Sequence, residues 1–423
     1  MKRIFLFFAL INGYLFSQVE YSRENAAIGN SAFFYQTAAY KSSKPGKTRI
    51  DSYIQVPYSS LSFVKKENEF DASYTIELTL YDEKKDNILS ERNWKEKIKT
   101  GSFEETLSRK NFNLSYKALD LTPGNYVIKI MLEDGNSNRT SSKENKLTVR
   151  AITDSVSLSD VMLITEIIKD SSNNRIVPNI SNFVTNHDDS LSFFFTLYSN
   201  KEQEFYIEYY ITDPQKNNTT KQLNPYKAKV GANVITSLMK KLSFAMGNYD
   251  LKIVVKDKNW NEITSIQKSF VSGIYGIPLS IVDLDKAVTQ LIYIATSEEK
   301  DFIEEAKDYN EKLKRFLSFW DKKKPNPSVE ENPILIEYYR RIEYANKNFK
   351  GFSEGWRSDM GMIYVTFGPP SQVERHPMDS NSKPYEIWYY YELDRSFVFV
   401  DDTGFNDYRL YNPDYSRWPG YRQ

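Results

Sequence analysis

The carboxylates Glu354, Asp359, Glu374, Glu386, Asp401, Asp402 and Asp407 are among those that fall within residues 354–407. Two of them held about 5–10 Å apart could serve glycoside hydrolysis as acid and base. Other chemistries have fewer candidates. The chain has no cysteine and two histidines, so a Ser-His-Asp triad would have to use His187 or His376. It contains no Gly-x-Ser-x-Gly elbow, phosphate loop or dinucleotide fingerprint. His187 stands beside Asp188 and Asp189 and reads as part of an exposed turn. His376 precedes Pro377 in a polar loop between strands and reads as a surface histidine, because typical zinc sites need three or four ligands. The sequence therefore assigns no catalytic residue, no cofactor and no metal.

The same acids have structural roles open to them. Asp359 can accept backbone N–H bonds as a turn or cap where a strand begins. Asp401, Asp402 and Asp407 flank Gly404, which supplies the positive φ of a hairpin turn. A calcium loop built from Asp401, Asp402, Asn406 and Asp407 would depart from EF-hand spacing. Trp356 either fills the gap between helices and sheet, with Gly355 admitting the backbone, or joins Trp388, Tyr389, Tyr390 and Tyr391 in an aromatic platform for a glycan or peptide. Alternation from Tyr385 to Tyr391 sends Tyr385, Ile387, Tyr389 and Tyr391 to one face and Glu386, Trp388 and Tyr390 to the other. Both faces are aromatic, so this strand is either covered on both sides or offers one face to a partner. Tyr408 belongs to the same set of motif and interaction candidates.

Helices and short strands must position these residues. Thr296 and Glu299 form a capping box, and Phe302, Ala306, Tyr309, Leu313, Phe316 and Trp320 follow at steps of four and three, which predicts one helix with one apolar stripe. On its exposed side Asp308 precedes Lys312 and Glu311 precedes Arg315 at i,i+4. Pro325 and Pro327 interrupt the pattern. Asn332 and Pro333 then open a second helix with Leu335, Tyr338, Ile342, Ala345 and Phe349 on one face and Gly351 as its stop. The two stripes predict a helical hairpin. Strands are expected at Met362 to Phe367, Tyr385 to Tyr391, Ser396 to Asp401 and Asp407 to Tyr411, with Gly368-Pro369-Pro370 ending the first.

The run Gly355-Trp356-Arg357-Ser358-Asp359, continued by Gly361 and Gly368-Pro369-Pro370, resembles the GWxTD domain of exported proteins from Gram-negative bacteria, with Ser358 where the motif has Thr. Phe319-Trp320, Pro325 to Pro327, Tyr338-Tyr339-Arg340-Arg341 and Tyr344-Ala345-Asn346 stand ahead of it in that family's order. The resemblance covers about residues 285–412 and implies a family without implying a reaction.

Upstream, the period is two. Pro123-Gly124-Asn125-Tyr126 and Met246-Gly247-Asn248-Tyr249 open matching segments 123 positions apart. Behind them Tyr126, Ile128, Ile130 and Leu132, and likewise Tyr249, Leu251, Ile253 and Val255, alternate as strands do. With Tyr74, Ile76, Leu78 and Leu80 in the first unit and Phe193, Phe195 and Leu197 in the second, the pattern predicts two tandem immunoglobulin-like β-sandwiches, residues 18–151 and 152–276. Residues 277–423 are expected to form an α+β module, helices about 285–350 and sheet about 360–412, giving a mainly β chain.

Lys2 and Arg3, the apolar run Ile4 to Ile11 and the small Ser17 have the layout of a secretory signal peptide over residues 1–17. Without cysteine the chain is neither a lipoprotein acylated at an N-terminal Cys nor disulfide-dependent after export. Basic and acidic side chains number 56 each, which gives no electrostatic pull toward nucleic acid. No later segment is apolar and long enough to cross a bilayer. The expectation is an exported, non-catalytic envelope protein, periplasmic or on the outer membrane, whose C-terminal module docks a protein partner or glycan; the competing expectation is a carboxylate-dependent hydrolase of envelope polysaccharide.

Overall fold

The computed structural model describes residues 32–411 except 109–110, 154, 170–173, 186–187, 214–217, 275–276, 278–280, 282, 327–331, 350–352 and 378–382. The expected signal segment, His187, the expected helix stop Gly351 and the chain from 412 onward lie outside the described residues.

The chain is mainly β, with an α+β module at its C-terminal end. The first sandwich comprises β1 (Phe34–Lys41), β2 (Thr48–Pro57), β3 (Val64–Lys66), β4 (Glu69–Asp82), β5 (Ile88–Thr100), the short α1 (Phe103–Thr106), β6 (Phe112–Leu121), β7 (Gly124–Asp134) and β8 (Thr140–Val149). One sheet has the order β1-β2-β6, the other β3-β4-β7-β8 with β5 on the free side of β4. Tyr74, Ile76, Leu78 and Leu80 of β4 are fully buried, and Ile76, Leu78 and Leu80 pair in register with Leu132, Ile130 and Ile128 of β7. Alternate residues thus supply one continuous apolar layer.

The second sandwich comprises β9 (Ser157–Leu158), β10 (Met162–Lys169), β11 (Asn174–Pro178), β12 (Phe183–Thr185), β13 (Ser190–Ser199), β14 (Gln203–Asp213), β15 (Asn218–Ala228), β16 (Gly231–Lys240), β17 (Gly247–Lys256) and β18 (Glu262–Gly273). Its sheets run β11-β10-β13-β16, with β9 on β13, and β12-β18-β17-β14-β15. The internal repeat is structural. β7 and β17 both lie inside a five-stranded sheet, and an aspartate, the last residue of β7 (Asp134) or the one just after β17 (Asp257), accepts the N–H two residues on, from Asn136 at 2.9 Å or Asn259 at 2.8 Å.

An open strand edge invites unwanted pairing, and here the second sandwich covers the edge of the first. Ala39 of β1 donates its N–H to Asp160 Oδ2 at 2.8 Å and accepts from Asp160 N at 2.9 Å, while Lys41 N donates to the Tyr198 hydroxyl at 3.0 Å. Ala38, Tyr40, Met162 and Ile180 form a small apolar cluster beside these bonds.

The C-terminal module contains α2 (Leu284–Thr289), α3 (Ser297–Glu304), α4 (Tyr309–Lys322), α5 (Pro333–Asn348), α6 (Asp359–Phe367), β19 (Gln372–His376), β20 (Tyr385–Tyr390), β21 (Arg395–Asp401) and β22 (Tyr408–Leu410). Its sheet is an antiparallel meander, β19-β20-β21-β22. Three local expectations need correction. The single helix beginning at Thr296 is two: the capping box is present, but Asp308 caps a new helix by accepting Glu311 N at 2.9 Å, and Phe302 is left exposed. Asp308, being a cap, does not pair with Lys312, which reaches Asp285 instead, whereas Arg315 pairs with Glu311 at 2.6 Å as expected. Third, Met362 to Phe367 is helical, and the first strand of the sheet is Gln372–His376, so His376 lies in a strand and not in a loop.

That third miss has a physical cause. A short, wholly apolar run has no periodicity to separate strand from buried helix, and β-branched and aromatic residues tilt the reading toward strand. α6 is apolar all round because it is buried on both sides, with Val365 in the helical core and Met360, Ile363 and Tyr364 against the sheet. The boundary residues carried the right signal: Ser358 is an N-cap and Gly368 a C-terminal stop at φ +83°, followed by Pro369. The α4–α5 pair is a hairpin in packing, since Phe316 and Trp320 meet Tyr338 and Tyr339. Among the described residues no helix is long and apolar enough to cross a membrane.

Candidate functional site

The motif begins where α5 passes beneath a turn of 3₁₀ helix, Gly355–Arg357. A Cβ on Gly355 would lie 2.0 Å from the Ala345 carbonyl oxygen of α5, and one on Gly361 would lie 1.9 Å from the Gly355 carbonyl oxygen. Three backbones, α5, the 3₁₀ turn and α6, are therefore stacked at distances only glycine permits. Side chains fasten the stack: Asn346 Oδ1 accepts Trp356 N at 3.2 Å, and the Tyr293 hydroxyl donates to the Trp356 carbonyl at 3.0 Å.

Each motif side chain closes one local account. The Trp356 indole is 3% exposed, meets the Tyr293 ring edge-on, and donates its N–H to Glu354 Oε2 at 2.8 Å. Lys286, 2.8 Å from Glu354, holds that carboxyl below its ordinary pKa against the opposing effect of partial burial. Ser358 caps α6, accepting Gly361 N at 3.0 Å while its hydroxyl donates to the Gly355 carbonyl at 2.7 Å. Asp359 was expected to cap locally at a strand entry, but its Oδ2 accepts Leu410 N at 2.7 Å, tying the start of α6 to β22 across 51 residues. At the other end of α6, Arg341 Nη1 donates to the Val365 and Thr366 carbonyls at 3.2 and 3.3 Å, placing a cation at the negative end of the helix. Gly368 lies against that guanidinium, and its carbonyl accepts the Tyr390 hydroxyl at 2.8 Å.

The remaining acids are also engaged. Asp401 Oδ1 accepts Thr403 N, the Thr403 hydroxyl and Gly404 N at 2.9–3.1 Å, and Oδ2 accepts Asn406 N at 2.7 Å. Burial pushes this carboxyl up, but those donors, led by Asn406, outweigh it and leave the pKa below its ordinary value. Both oxygens of Asp401 face N–H and O–H donors, an arrangement opposite to what a cation needs. Among the described residues no group of three or more His, Cys, Asp or Glu is disposed to hold a metal. Asp402 meets Lys383 at 2.9 Å, Asp407 meets Arg409 at 3.0 Å, Glu386 meets Arg375 at 3.0 Å, and Glu374 accepts the Tyr389 hydroxyl at 3.0 Å.

The two faces of β20 differ. Trp388 and Tyr390 are buried against α6, with Phe397 and Phe399, so of the expected aromatic platform Trp356, Trp388 and Tyr390 are core residues. Tyr385, Ile387 and Tyr389 are half-buried on the opposite face, beside Val398 and Val400 of β21. His376 stacks on Tyr385 at 4.2 Å and Tyr389 on Tyr391 at 5.9 Å, and Tyr391 is 62% exposed. Tyr408 is half-buried among the residues packed on the core, and burial raises its pKa. His376 was not legible as a member of this face, because β19 is polar in sequence and its pairing with β20 follows from the meander alone.

Two β-sandwiches carrying a glycine-stacked α+β module define a multidomain, mainly β protein. Residues 273–417 match the GWxTD domain, so the last third of the chain carries that domain. A comparison with curated proteins gives no match. Among solved structures the chain is similar to red sea bream transglutaminase, with 7% identity, a TM-score of 0.18 and coverage of 58% of this chain and 32% of that one. It is also similar to a calcium-binding mutant of Bacteroides uniformis β-glucuronidase 2, with 6% identity, a TM-score of 0.21 and coverage of 55% and 27%. The chain thus spans about a third or less of either protein, and likeness at this level carries no activity across.

Proposed function

We propose that this is an exported, non-catalytic envelope protein in which two β-sandwiches carry a GWxTD domain to a protein partner, docked on the outer face of the β19–β22 sheet. The observation behind this reading is that outer face: Tyr385, Ile387, Tyr389, Val398 and Val400 form a half-exposed strip continued by Tyr391. A solvated sheet face is ordinarily polar, and aromatic residues are enriched where partners bind. Further support comes from the seven acids named above, each of which has at least one oxygen engaged by a backbone, hydroxyl, indole or basic group. Export rests on the signal-like layout of residues 1–17.

The test is crosslinking in the native envelope with the full chain and a Tyr389→Ala, Val398→Asp double variant whose fold is checked by circular dichroism. Loss of one specific crosslinked protein in the folded variant is expected. An unchanged crosslinking pattern, or turnover of an envelope polysaccharide by the wild type, would overturn the proposal. Trp356→Ala is unsuited to this purpose, since a buried indole reports on packing.

A further inference from the structure

The second sandwich carries a distinct feature on its own outer face. β14 and β17 turn Phe205, Ile207 and Tyr209, and Leu251, Ile253 and Val255, into the core. Tyr206, Glu208, Tyr210, Lys252, Val254 and Lys256 therefore point outward. This face encloses an open groove of about 490 Å³ lined by Glu208, Lys252, Glu262 and Gln267 among others. On its floor Glu208 is 1% exposed, yet it is ionised: Lys221 and Lys256 approach its carboxylate at 2.7 and 3.0 Å, and the Tyr210 hydroxyl donates at 2.5 Å. Val254, its partner across the ladder, is buried beside it.

Trp260 stands beside this groove, next to its lining residue Lys256. It sits in the hairpin between β17 and β18 at φ +66°, a backbone region that bulky L residues rarely adopt and that glycine or asparagine would occupy with less strain. Its indole is 49% exposed but fixed, lying flat on Tyr206 with centroids 4.5 Å apart and planes 5° from parallel, and Lys256 Nζ lies 5.8 Å from the ring centre. Tyr206 pairs with Lys256 and precedes Glu208 by two positions on the same face, so the stacked pair adjoins the groove through its lining residue Lys256. Strain held at an exposed, immobilised aromatic beside a polar groove marks a binding position more than a folding need.

The geometry points to a binding groove for a neutral oligosaccharide. Glu208, Asp250 and Glu262 are nearly offset by Lys252 and Lys256, so the lining has little net charge to select an ion. Val254 is the one aliphatic residue among the described lining residues, which argues against a lipid or an apolar peptide. A sugar ring presents an apolar C–H face and a rim of hydroxyls that both donate and accept. The indole matches the first; Lys252, Glu262 and Gln267 match the second.

The experiment titrates the full chain with maltohexaose, cellohexaose, chitohexaose and xylohexaose, by calorimetry and tryptophan fluorescence. Binding of at least one is expected, weakened at least tenfold by Trp260→Gly, a variant whose fold is checked by circular dichroism. Lys252→Ala should weaken binding with its melting temperature unchanged, and the Tyr389→Ala, Val398→Asp variant should bind as wild type does, which separates this groove from the docking face. Absence of binding by wild type at millimolar sugar, or undiminished binding by Trp260→Gly, would overturn the assignment.

Discussion

The β-sandwiches and the GWxTD module bury the same kinds of side chain but depend on backbone contact to different degrees. In the sandwiches the layers are separated by side chains: Gly46, Gly101 and Gly231 have open space where a Cβ would project, and at Gly135 the nearest obstacle is the Ser73 hydroxyl, a side-chain atom, at 2.4 Å. In the module, Gly355 and Gly361 have carbonyl oxygens at 2.0 and 1.9 Å from that same point. Cohesion in the first case comes from period-two burial, which tolerates local change. In the second it comes from a stack of three backbones with no slack.

Substitutions can break this contrast or sharpen it. Gly361→Ala should be the most damaging, because the obstacle is the Gly355 carbonyl and neither segment can shift without parting α6 from α5. A loss of about 4 kcal/mol or more is expected, confined to the module, with amide exchange in β4 and β17 still slow. Equal loosening of all domains would show that the module is not the independent unit this contrast requires.

Glu208 offers the sandwich counterpart, a buried acid whose partners are lysines and not backbone. Burial pushes its pKa up, but Lys221, Tyr210 and Lys256 outweigh it and bring the value to about 2 from 4.5. Ionised Glu208 therefore stabilises the second sandwich fully above pH 4.5, and that contribution fades as pH falls and is lost below about 2. Glu208→Gln should cost about 1–3 kcal/mol at neutral pH and flatten the acid limb of stability against pH. An unaltered acid limb, followed by denaturation at several pH values, would mean that the lysines do not hold the charge in the folded state.

Ser358→Ala removes the α6 cap and should cost about 1 kcal/mol in the module, whereas Ser358→Thr, the residue of the family motif, should stay within about 0.5 kcal/mol because its hydroxyl can make the same bonds. Urea denaturation read by tryptophan fluorescence distinguishes the two. Gly101→Ala has no atom to displace and should change stability by no more than about 0.5 kcal/mol. A large cost there would show that crowding around glycine is not what separates the two regions.

The alternation in β4, β7 and β17 and the capping box before α3 were readable because each rests on a few adjacent residues whose period or chemistry admits one conformation. Asn332 and Pro333 located the start of α5 for the same reason: Asn332 Oδ1 accepts Ile334 N at 3.0 Å and Leu335 N at 3.2 Å. α6 was misread because a segment covered on every side shows no pattern along its length. The turn bonding expected of Asp401 is present, but Asp359 binds Leu410, a partner 51 residues away that no spacing rule predicts.

Sequence alone thus determined the tandem sandwiches, the absence of thiol chemistry and the family of the last third, since those follow from local period, composition and a run of residues in fixed order. Tertiary structure alone decided which aromatic residues face solvent, where Asp359 and Arg341 find their partners, and that Trp260 stands beside a groove on β14 and β17. The physical reason is range. Periodicity and capping act over one or two turns of chain, whereas the face a side chain finally shows depends on what distant segments leave uncovered.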